Sequence, residues 1–213
     1  MLNMNLATIL SRIVTLVIAF TVHEFSHAFV ANAYGDDTPR LHGRLTLNPL
    51  AHLDVMGSML LLVAGFGWAK PVPINPYVLK SRSRSSVMWV SLAGPISNLL
   101  LAFVAALPLR FRLVPYSPVQ NILFPTPFYF LLEFIVINLS LAIFNVIPVS
   151  PLDGEKVLEY LLPSSALPSF ERLRPYGPMI LLVVVFALPY LGLDLISLIM
   201  TPIIRGLLQL FVG

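Results

Sequence analysis

The sequence predicts an all-α polytopic membrane protein. Of its 213 residues, 57% are hydrophobic and only 11% are charged, whereas a soluble domain carries about 25% charged residues. The mean hydropathy is +0.87, and several apolar stretches could cross a hydrocarbon core of about 30 Å. A chain this poor in charge cannot cover a water-facing surface, which excludes most soluble enzymes and a disordered chain.

Net charge and cysteine content exclude further classes of function. The net charge is only +3, and no basic stripe alternates with aromatic residues, so no nucleic-acid partner is expected. The chain contains no cysteine, which excludes disulfides and metal sites with cysteine ligands. The expected surroundings of the chain are membrane lipid.

Four stretches are predicted to span the membrane, because each is mainly apolar over about 20 residues. They are Leu6–Ala33, Val87–Leu109, Pro127–Val149 and Pro178–Met200. The first is too long for a signal peptide, and no A-x-A-like cleavage site follows it. Pro189 and Asp194 interrupt the last, so the C-terminal region is either one kinked helix with a tail or two helices, the second starting near Asp194.

Between the first two spans lies an apolar segment, Val55–Ala69, that is too short to span comfortably. It contains three glycines and is followed by Pro71, Pro73 and Pro76, a composition that argues against a continuous helix. We predict a re-entrant or strand-like segment, which a membrane tolerates only where protein or water meets its backbone. A fifth or sixth span is the alternative for this segment and for the C-terminal region.

Basic residues in the loops predict the orientation. Lysine and arginine are frequent in the loops Gly35–Ser86 and Ser150–Gly177 and rarer in Arg110–Thr126. If Val55–Ala69 does not cross the membrane, the two basic loops share one side, which the positive-inside rule makes cytoplasmic. We therefore expect a multi-pass protein of a prokaryotic-type cell membrane with its N-terminus outside.

The first span contains the pattern H-E-x-x-H at His23, Glu24 and His27. Histidines four residues apart lie on one face of a helix, so both imidazoles can bind one ion while the glutamate reaches a water on it. Ionisable groups in a membrane helix cost at least about 2.5 kcal/mol each and are functional by default. The pattern predicts a zinc hydrolase site with Glu24 as general base; an interfacial, solvated cluster is the alternative.

Catalytic zinc normally has three protein ligands and one position open for water. The third ligand is predicted to be Asp153, which follows the third predicted span after two prolines, Pro148 and Pro151, and precedes Gly154. The first and third spans run in the same direction, so both approach the same side of the membrane. The alternative is that Asp153 only caps the helix that starts at Gly154.

These motifs together resemble the site-2 protease family of intramembrane zinc metalloproteases. The resemblance rests on His23-Glu24-x-x-His27, on Gly94-Pro95-x-x-Asn98, on Asn145 with Leu152-Asp153-Gly154, and on two loop stretches at residues 47–54 and 65–76. It covers about residues 15–160 and departs from the longer family members in lacking an inserted PDZ or CBS domain. It implies one integral-membrane metalloprotease domain over residues 1–213, with one zinc ion per chain.

The resemblance also implies roles for further residues. Asn98 is expected to donate to substrate or to the developing oxyanion, with helix–helix contact as its alternative. Gly65 and Gly67 are expected to bind extended substrate, and Asn145 is expected to bind the substrate backbone or to orient Asp153. The expected substrates are transmembrane segments of other membrane proteins, cut near the cytoplasmic side, for signalling or for clearance of fragments; the oligomeric state stays open.

The remaining polar residues have simpler expected roles, and two other functions are alternatives to a protease. Asn138 is predicted to serve packing and Glu133 to be structural, while three loop residues are either solvated or additional ligands: His42, His52 and Asp54. A membrane zinc transporter would also place His and Asp in helices, but it would not need a base beside them. A catalytically silent scaffold would not need His23, Glu24, His27 and Asp153 together.

Overall fold

The computed structural model describes residues 5–54, 56–57, 68–117 and 123–213. Within these ranges, five helices are long and apolar enough to cross a membrane. They are α1 (Leu6–Ala33), α2 (Ser86–Arg110), α3 (Pro127–Val146), α5 (Leu167–Tyr190) and α6 (Leu195–Val212), and the short helix α4 (Gly154–Leu161) lies between α3 and α5. Two shorter helices, Thr38–Leu41 and Pro76–Arg82, lie between α1 and α2. The prediction of an all-α polytopic fold is confirmed.

Local signals in the sequence define both ends of α1. Asn5 begins the helix, because its Oδ1 accepts a hydrogen bond from the backbone N–H of Thr8 at 2.8 Å, which satisfies one of the unpaired donors of the first turn. The helix ends at Ala33, and Gly35 follows with φ at 85°. This left-handed conformation suits glycine and terminates the helix.

Helices α1 and α2 pack antiparallel to each other. The carbonyl of Ala19 accepts a hydrogen bond from Asn98 Nδ2 at 3.3 Å, whereas His27, further along α1, contacts the carbonyl of Val90, earlier in α2, at 2.7 Å. An apolar cluster closes the same end of the pair, formed by Ala31, Leu79, Val87 and Val90. The first and second helices therefore meet along the face that carries the two histidines.

Helix α3 packs against α2 and runs parallel to α1. Asn98 Nδ2 donates to Asn138 Oδ1 at 2.9 Å, and the apolar core beyond this contact consists of Ala102, Ala106, Leu109, Ile135 and Leu139. Near their N-terminal ends, α1 and α3 are joined by an ion pair between Arg12 Nε and Glu133 Oε1 at 2.8 Å. Because α1 and α3 point the same way, the residues at their C-terminal ends can meet.

The third span ends at Val146, three residues before the predicted end at Val149. Ile147 already has an extended backbone, with ψ at 128°, because the ring of Pro148 disfavours a helical conformation in the residue before it. Helix α4 then begins at Gly154, where an added Cβ would lie 2.1 Å from the carbonyl oxygen of Val146. This position therefore requires glycine for space.

The C-terminal region forms two helices, which confirms the two-helix alternative. Helix α5 is irregular, with a 3₁₀ turn at Arg174–Tyr176 and a π-helical turn at Val183–Ala187, and it ends just after Pro189. Gly192 reverses the chain with φ at 79°. Asp194 then begins α6 by accepting a hydrogen bond from the backbone N–H of Ser197 at 2.9 Å, so Pro178–Met200 is not one continuous span.

The structure describes only the edges of the predicted re-entrant segment. Leu53 and Ala69 form an isolated antiparallel β-bridge, and the N–H of Lys70 donates to the carbonyl of His52 at 2.8 Å. The buried guanidinium of Arg44 donates to carbonyls on both sides of this closure, Ala51 and Lys70. The ends of the segment are therefore held together, while most of Val55–Ala69, including Gly65 and Gly67, lies outside the described residues.

Candidate metal centre

Three potential metal ligands converge where α1, α2 and the turn before α4 meet. His23, His27 and Asp153 each offer one ligand atom, and these atoms all lie within 4.8 Å of one another. Both histidines are buried on one face of α1, and the side chain of Asp153 is 21% exposed. The residues that the H-E-x-x-H pattern and the helix-end aspartate singled out are therefore neighbours in space.

The two histidine–aspartate distances are close to those expected around a tetrahedral ion. Nε2 of His23 lies 3.1 Å from Oδ2 of Asp153, and Nε2 of His27 lies 3.4 Å from Oδ1. Ligand atoms about 2.0 Å from zinc at tetrahedral angles are separated by about 3.3 Å. A cation among these atoms would take the place of the protons that otherwise bridge imidazole and carboxylate. Two imidazole nitrogens and one carboxylate oxygen are also donor atoms that zinc commonly takes in proteins.

Asp153 does not cap α4. It occupies the position before the first helical residue, but its side chain makes no capping hydrogen bond, and its backbone is helical with φ at −60° and ψ at −34°. The carboxylate is directed instead to the two histidines of α1. The geometry therefore favours the ligand over the helix-cap alternative.

The two imidazoles determine the ionisation of Asp153. Burial raises the pKa of this carboxyl, but the charge of His27 and the hydrogen bonds from both imidazoles lower it by more, so the pKa lies below its usual range. The carboxyl is consequently ionised at neutral pH. An anionic oxygen ligand beside two imidazoles gives the site a preference for a divalent cation.

The second nitrogen of each histidine has a hydrogen-bond acceptor on α2. Nδ1 of His23 lies 2.5 Å from Oδ1 of Asn98, and Nδ1 of His27 lies 2.7 Å from the carbonyl oxygen of Val90. Because both partners accept, Nδ1 of each imidazole carries a proton. Without a metal, a second proton on Nε2 faces Asp153; the neutral imidazole that binds a metal has lost that proton and keeps a lone pair on Nε2. Such outer partners orient metal-binding histidines and fix their tautomer.

Gly94 provides the space in which the two Nε2 atoms approach α2. A Cβ at this position would lie 2.5 Å from Nε2 of His23 and 2.5 Å from Nε2 of His27. Real Cβ atoms do not approach other heavy atoms so closely, and here the obstacle would be the candidate ligand atoms themselves. The Gly94-Pro95 pair therefore serves the site through the absence of a side chain at its first residue.

Glu24 follows His23 on α1 and is buried, with 8% of the residue exposed. Successive helical residues are rotated by about 100°, so its carboxylate is placed beside the ligand face rather than on it. It is not one of the three grouped ligands. This placement is compatible with the predicted base, which must reach a water molecule at the metal rather than the metal itself.

Two of the predicted asparagines lie in different surroundings. Asn98 is fully buried, and its amide contacts Ala19, Asn138 and His23. Asn145 is half-buried, and its Nδ2 donates to the carbonyl of Leu141 in its own helix at 3.0 Å. Asn98 therefore contacts the candidate site directly, whereas the hydrogen bond shown for Asn145 stays within α3.

Asn138, which was predicted to serve packing, is connected to the site. Asn138 is fully buried and joins Asn98 to the carbonyl of Phe134 through hydrogen bonds of 2.9 Å each. The signal that could have identified it is an uncharged but strongly polar amide in the middle of a span, since such groups need partners on a neighbouring helix.

The three polar loop residues considered as extra ligands lie outside the cluster. His42 is exposed and its Nδ1 donates to the carbonyl of Thr38 at 2.9 Å. His52 is fully buried and its Nε2 contacts the carbonyl of Thr46 at 2.7 Å. Asp54 accepts a hydrogen bond from the backbone N–H of Gly57 at 2.8 Å. Among the described residues, the grouped ligands are His23, His27 and Asp153 alone.

Comparison with known proteins identifies the family. The sequence model described as "Peptidase family M50" matches residues 113–188. "Putative zinc metalloprotease YwhC" of Bacillus subtilis (strain 168) is 42% identical over 172 residues, which cover 80% of this chain and 78% of that protein. The chain belongs to peptidase family M50. The resemblance to site-2 proteases is thereby confirmed, and the protein is a zinc metalloprotease of this family with multiple membrane-spanning helices.

More distant relatives agree with this assignment. "Putative zinc metalloprotease Rip2" of Mycolicibacterium smegmatis is 29% identical over 174 residues, covering 78% of this protease and 63% of that protein. A similarly named protein of Methanocaldococcus jannaschii is 29% identical over 160 residues, covering 74% of each chain. No solved structure gives a significant match to the protease.

Proposed function

We propose that this protease is an intramembrane zinc endopeptidase that hydrolyses peptide bonds within or near the transmembrane segments of other membrane proteins. The observation that carries the proposal is the convergence of His23, His27 and Asp153 on one point inside the helical bundle. His27 lies six residues before the end of α1 at Ala33, or about 9 Å along the helix axis. Ligands at this depth suit a scissile bond within the membrane near one of its surfaces.

The proposed roles follow from the positions of the side chains. His23, His27 and Asp153 would hold one zinc ion, which when bound supplies Lewis-acid activation of water and of the scissile carbonyl. Glu24 accepts the proton of the attacking water and delivers it to the leaving amine, so that the peptide bond breaks with one proton transferred to nitrogen.

The surroundings of Asn98 lead us to propose a different role for it than sequence analysis did. Its Nδ2 already donates to Ala19 and Asn138, and its Oδ1 accepts from His23. No donor of this amide points to a free position in the contacts of the described residues. We therefore propose that Asn98 orients His23 rather than stabilising an oxyanion. Gly65, Gly67 and Asn145 remain proposed substrate-binding positions.

The side of the membrane from which water reaches the site follows from the loops. The ligand ends of α1 and α3 adjoin the basic loops that the positive-inside rule assigns to the cytoplasm. We propose that the protease resides in a prokaryotic-type cell membrane with its active site toward the cytoplasm. A cytoplasmic position near the surface lets water reach the site while the substrate stays embedded.

The test is to separate metal binding from proteolysis. The protein is purified in detergent, its zinc is measured by mass spectrometry, and cleavage of a model transmembrane substrate is followed by gel. Glu24→Gln keeps the volume of the side chain but removes the base, so we expect about one zinc per chain and no detectable cleavage. The matched control is Glu171→Gln, the same chemical change at an exposed position, which should cleave like the wild type.

Two results would contradict the proposal. Substantial cleavage by Glu24→Gln would show that another group is the base. The second is a wild type that binds zinc and moves it across the membrane of proteoliposomes while cleaving no transmembrane substrate. That result would favour the transporter. Chelation of zinc should abolish cleavage, and added zinc should restore it.

A further inference from the structure

A chain of buried amides runs from α3 through α2 to the first histidine of α1. Asn138 Nδ2 donates to the carbonyl of Phe134 at 2.9 Å, and Asn138 Oδ1 accepts from Asn98 Nδ2 at 2.9 Å. Asn98 Oδ1 in turn contacts Nδ1 of His23 at 2.5 Å. Both asparagines are fully buried. Three helices are thus joined by one continuous hydrogen-bond path that ends on a metal ligand.

The carbonyl of Phe134 determines how the amide groups of Asn138 and Asn98 are oriented. A backbone carbonyl can only accept, so Phe134 requires the NH₂ group of Asn138 on its side and leaves Oδ1 directed to α2. That oxygen can only accept, so it requires the NH₂ group of Asn98 and leaves Asn98 Oδ1 directed to His23. The carbonyl of Ala19 supports the same orientation of Asn98 from a longer distance of 3.3 Å.

The orientation of Asn98 determines which tautomer of His23 is stable. With Oδ1 facing Nδ1, the imidazole must carry its proton on Nδ1, and Nε2 keeps the lone pair that a metal needs. If the amide of Asn98 turned over, its NH₂ group would face Nδ1 and would favour the other tautomer. In that tautomer Nε2 is protonated and cannot bind a metal until the proton is lost.

We propose that Asn138 is a positioning residue of the metal centre, which acts through Asn98 to hold His23 in its metal-binding tautomer. The inference rests on the proposed function in one respect, that His23 is a zinc ligand. The hydrogen bonds of Asn138 go to Asn98 and Phe134 and to none of the three ligand side chains in the described structure, so its hydrogen-bonded path to the metal site passes through Asn98. Packing alone does not explain why both polar atoms of the Asn138 side chain are hydrogen-bonded, Oδ1 to Asn98 and Nδ2 to Phe134.

The test compares variants that keep or remove the acceptor at residue 138. Asn138→Asp retains an oxygen that accepts from Asn98, and when protonated it can also donate to Phe134. Asn138→Leu has the same branching of heavy atoms, is somewhat larger and has no acceptor. Because loss of an outer hydrogen-bond partner typically costs 10–100-fold in metal affinity, we expect the Kd for zinc to rise about 10–100-fold in Asn138→Leu. The Kd of Asn138→Asp should stay within about threefold of the wild type.

The measurement is zinc affinity by competition with a chromophoric chelator on the purified full chain, with the thermal unfolding midpoint as a check of folding. Ser140→Ala is the control on the same helix, because its Oγ bonds only the carbonyl of Val136 among the contacts shown, at 2.8 Å. Ser140→Ala should leave zinc affinity unchanged. If Asn138→Leu does not fold, Asn138→Ala removes the acceptor without adding bulk and is expected to raise the Kd in the same direction.

The outcomes separate this inference from the proposed function. Wild-type zinc affinity in a folded Asn138→Leu or Asn138→Ala protein would overturn the positioning role while leaving the zinc site intact. Equal loss of affinity in Asn138→Asp and Asn138→Leu would also overturn it, because the effect would then not depend on the acceptor. Absence of zinc binding by the wild type itself would instead overturn the proposed function.

Discussion

Gly94 and His23 approach so closely that no side chain fits between them. A Cβ on Gly94 would lie 2.5 Å from Nε2 of His23, the atom that faces the carboxylate of Asp153. The same Cβ would lie 2.5 Å from Nε2 of His27. The second helix thus forms one wall of the metal centre, and its contribution at this position is the space left by a missing side chain.

Gly94→Ala should therefore abolish zinc binding and cleavage. The added methyl group must displace both imidazoles, and neither can move without losing its Nδ1 partner on α2. The matched control is Gly206→Ala in α6, where an added Cβ meets nothing within 4 Å and alanine favours the helix. Zinc content and cleavage are measured on both purified proteins, and full zinc occupancy in Gly94→Ala would contradict this account.

Removal of the third ligand should empty the site. Asp153→Asn keeps the size of the side chain but removes the anionic oxygen, so two imidazoles would hold zinc weakly; we expect zinc content well below one per chain and no cleavage. Asp54→Asn is the control, because Asp54 accepts from Gly57 and lies outside the cluster. If Asp54→Asn lost zinc and Asp153→Asn kept it, the choice of carboxylate would be wrong.

The helix that follows Asp153 is held by a partly buried ion pair. The side chain of Glu155 in α4 is 5% exposed and pairs with Arg174 at the 3₁₀ turn of α5 and with Lys156 Nζ at 3.3 Å. Arg174→Met would leave the carboxylate with Lys156 alone. The side chain of Arg174 is 35% exposed and Lys156 stays beside the carboxylate, so the loss is smaller than the roughly 3 kcal/mol expected for a fully buried pair. We expect a lowered thermal midpoint and weaker zinc binding.

Two further variants make the Arg174 prediction specific. Arg172→Met removes an exposed guanidinium from the same helix and should leave the midpoint unchanged. The double variant Glu155→Gln with Arg174→Met should be more stable than Arg174→Met alone, because it no longer buries an incompletely paired charge. Additive effects of the two substitutions would show that the pair is not coupled.

The membrane topology can be tested with single cysteines, since the chain has none of its own. Ser81 and Leu113 are exposed and lie on opposite sides of α2 in the sequence. A cysteine at Ser81 should react with an impermeant thiol reagent from the cytoplasmic face, and a cysteine at Leu113 from the other face. Labelling of both from one face would contradict α2 as a membrane span and the parallel arrangement of α1 and α3.

The extent of helix in this protein could be predicted from sequence because it depends on local chemistry. Long apolar stretches specify the spans α1, α2 and α3, since backbone groups in lipid must be satisfied within the segment. The end of α3 was placed at Val149 and lies at Val146, because the effect of Pro148 on Ile147 reaches one residue back. The sequence allowed either one kinked helix or two helices with the second starting near Asp194, and composition alone did not distinguish them.

The candidate metal ligands could be predicted as residue types at a spacing, but whether they come together depends on the tertiary structure. A helix places His23 and His27 on one face by its own geometry, so that half of the site is local. Whether Asp153 caps α4 or faces α1 depends on how α3 packs beside α1, and the structure shows no cap bond. The hydrogen bonds that fix each imidazole come from α2, far away in sequence.

Sequence alone thus determined the membrane-spanning helices, the H-E-x-x-H face and the family resemblance, because each depends on residues within a few turns of one another or on a recurring motif. Only the tertiary structure decided that Gly94 makes room for two imidazoles, that Gly154 is needed for space, and that Asn138 reaches His23 through Asn98. The physical reason is that hydrogen-bond direction and close packing act between helices, and the pattern along one helix does not record what its neighbour presents.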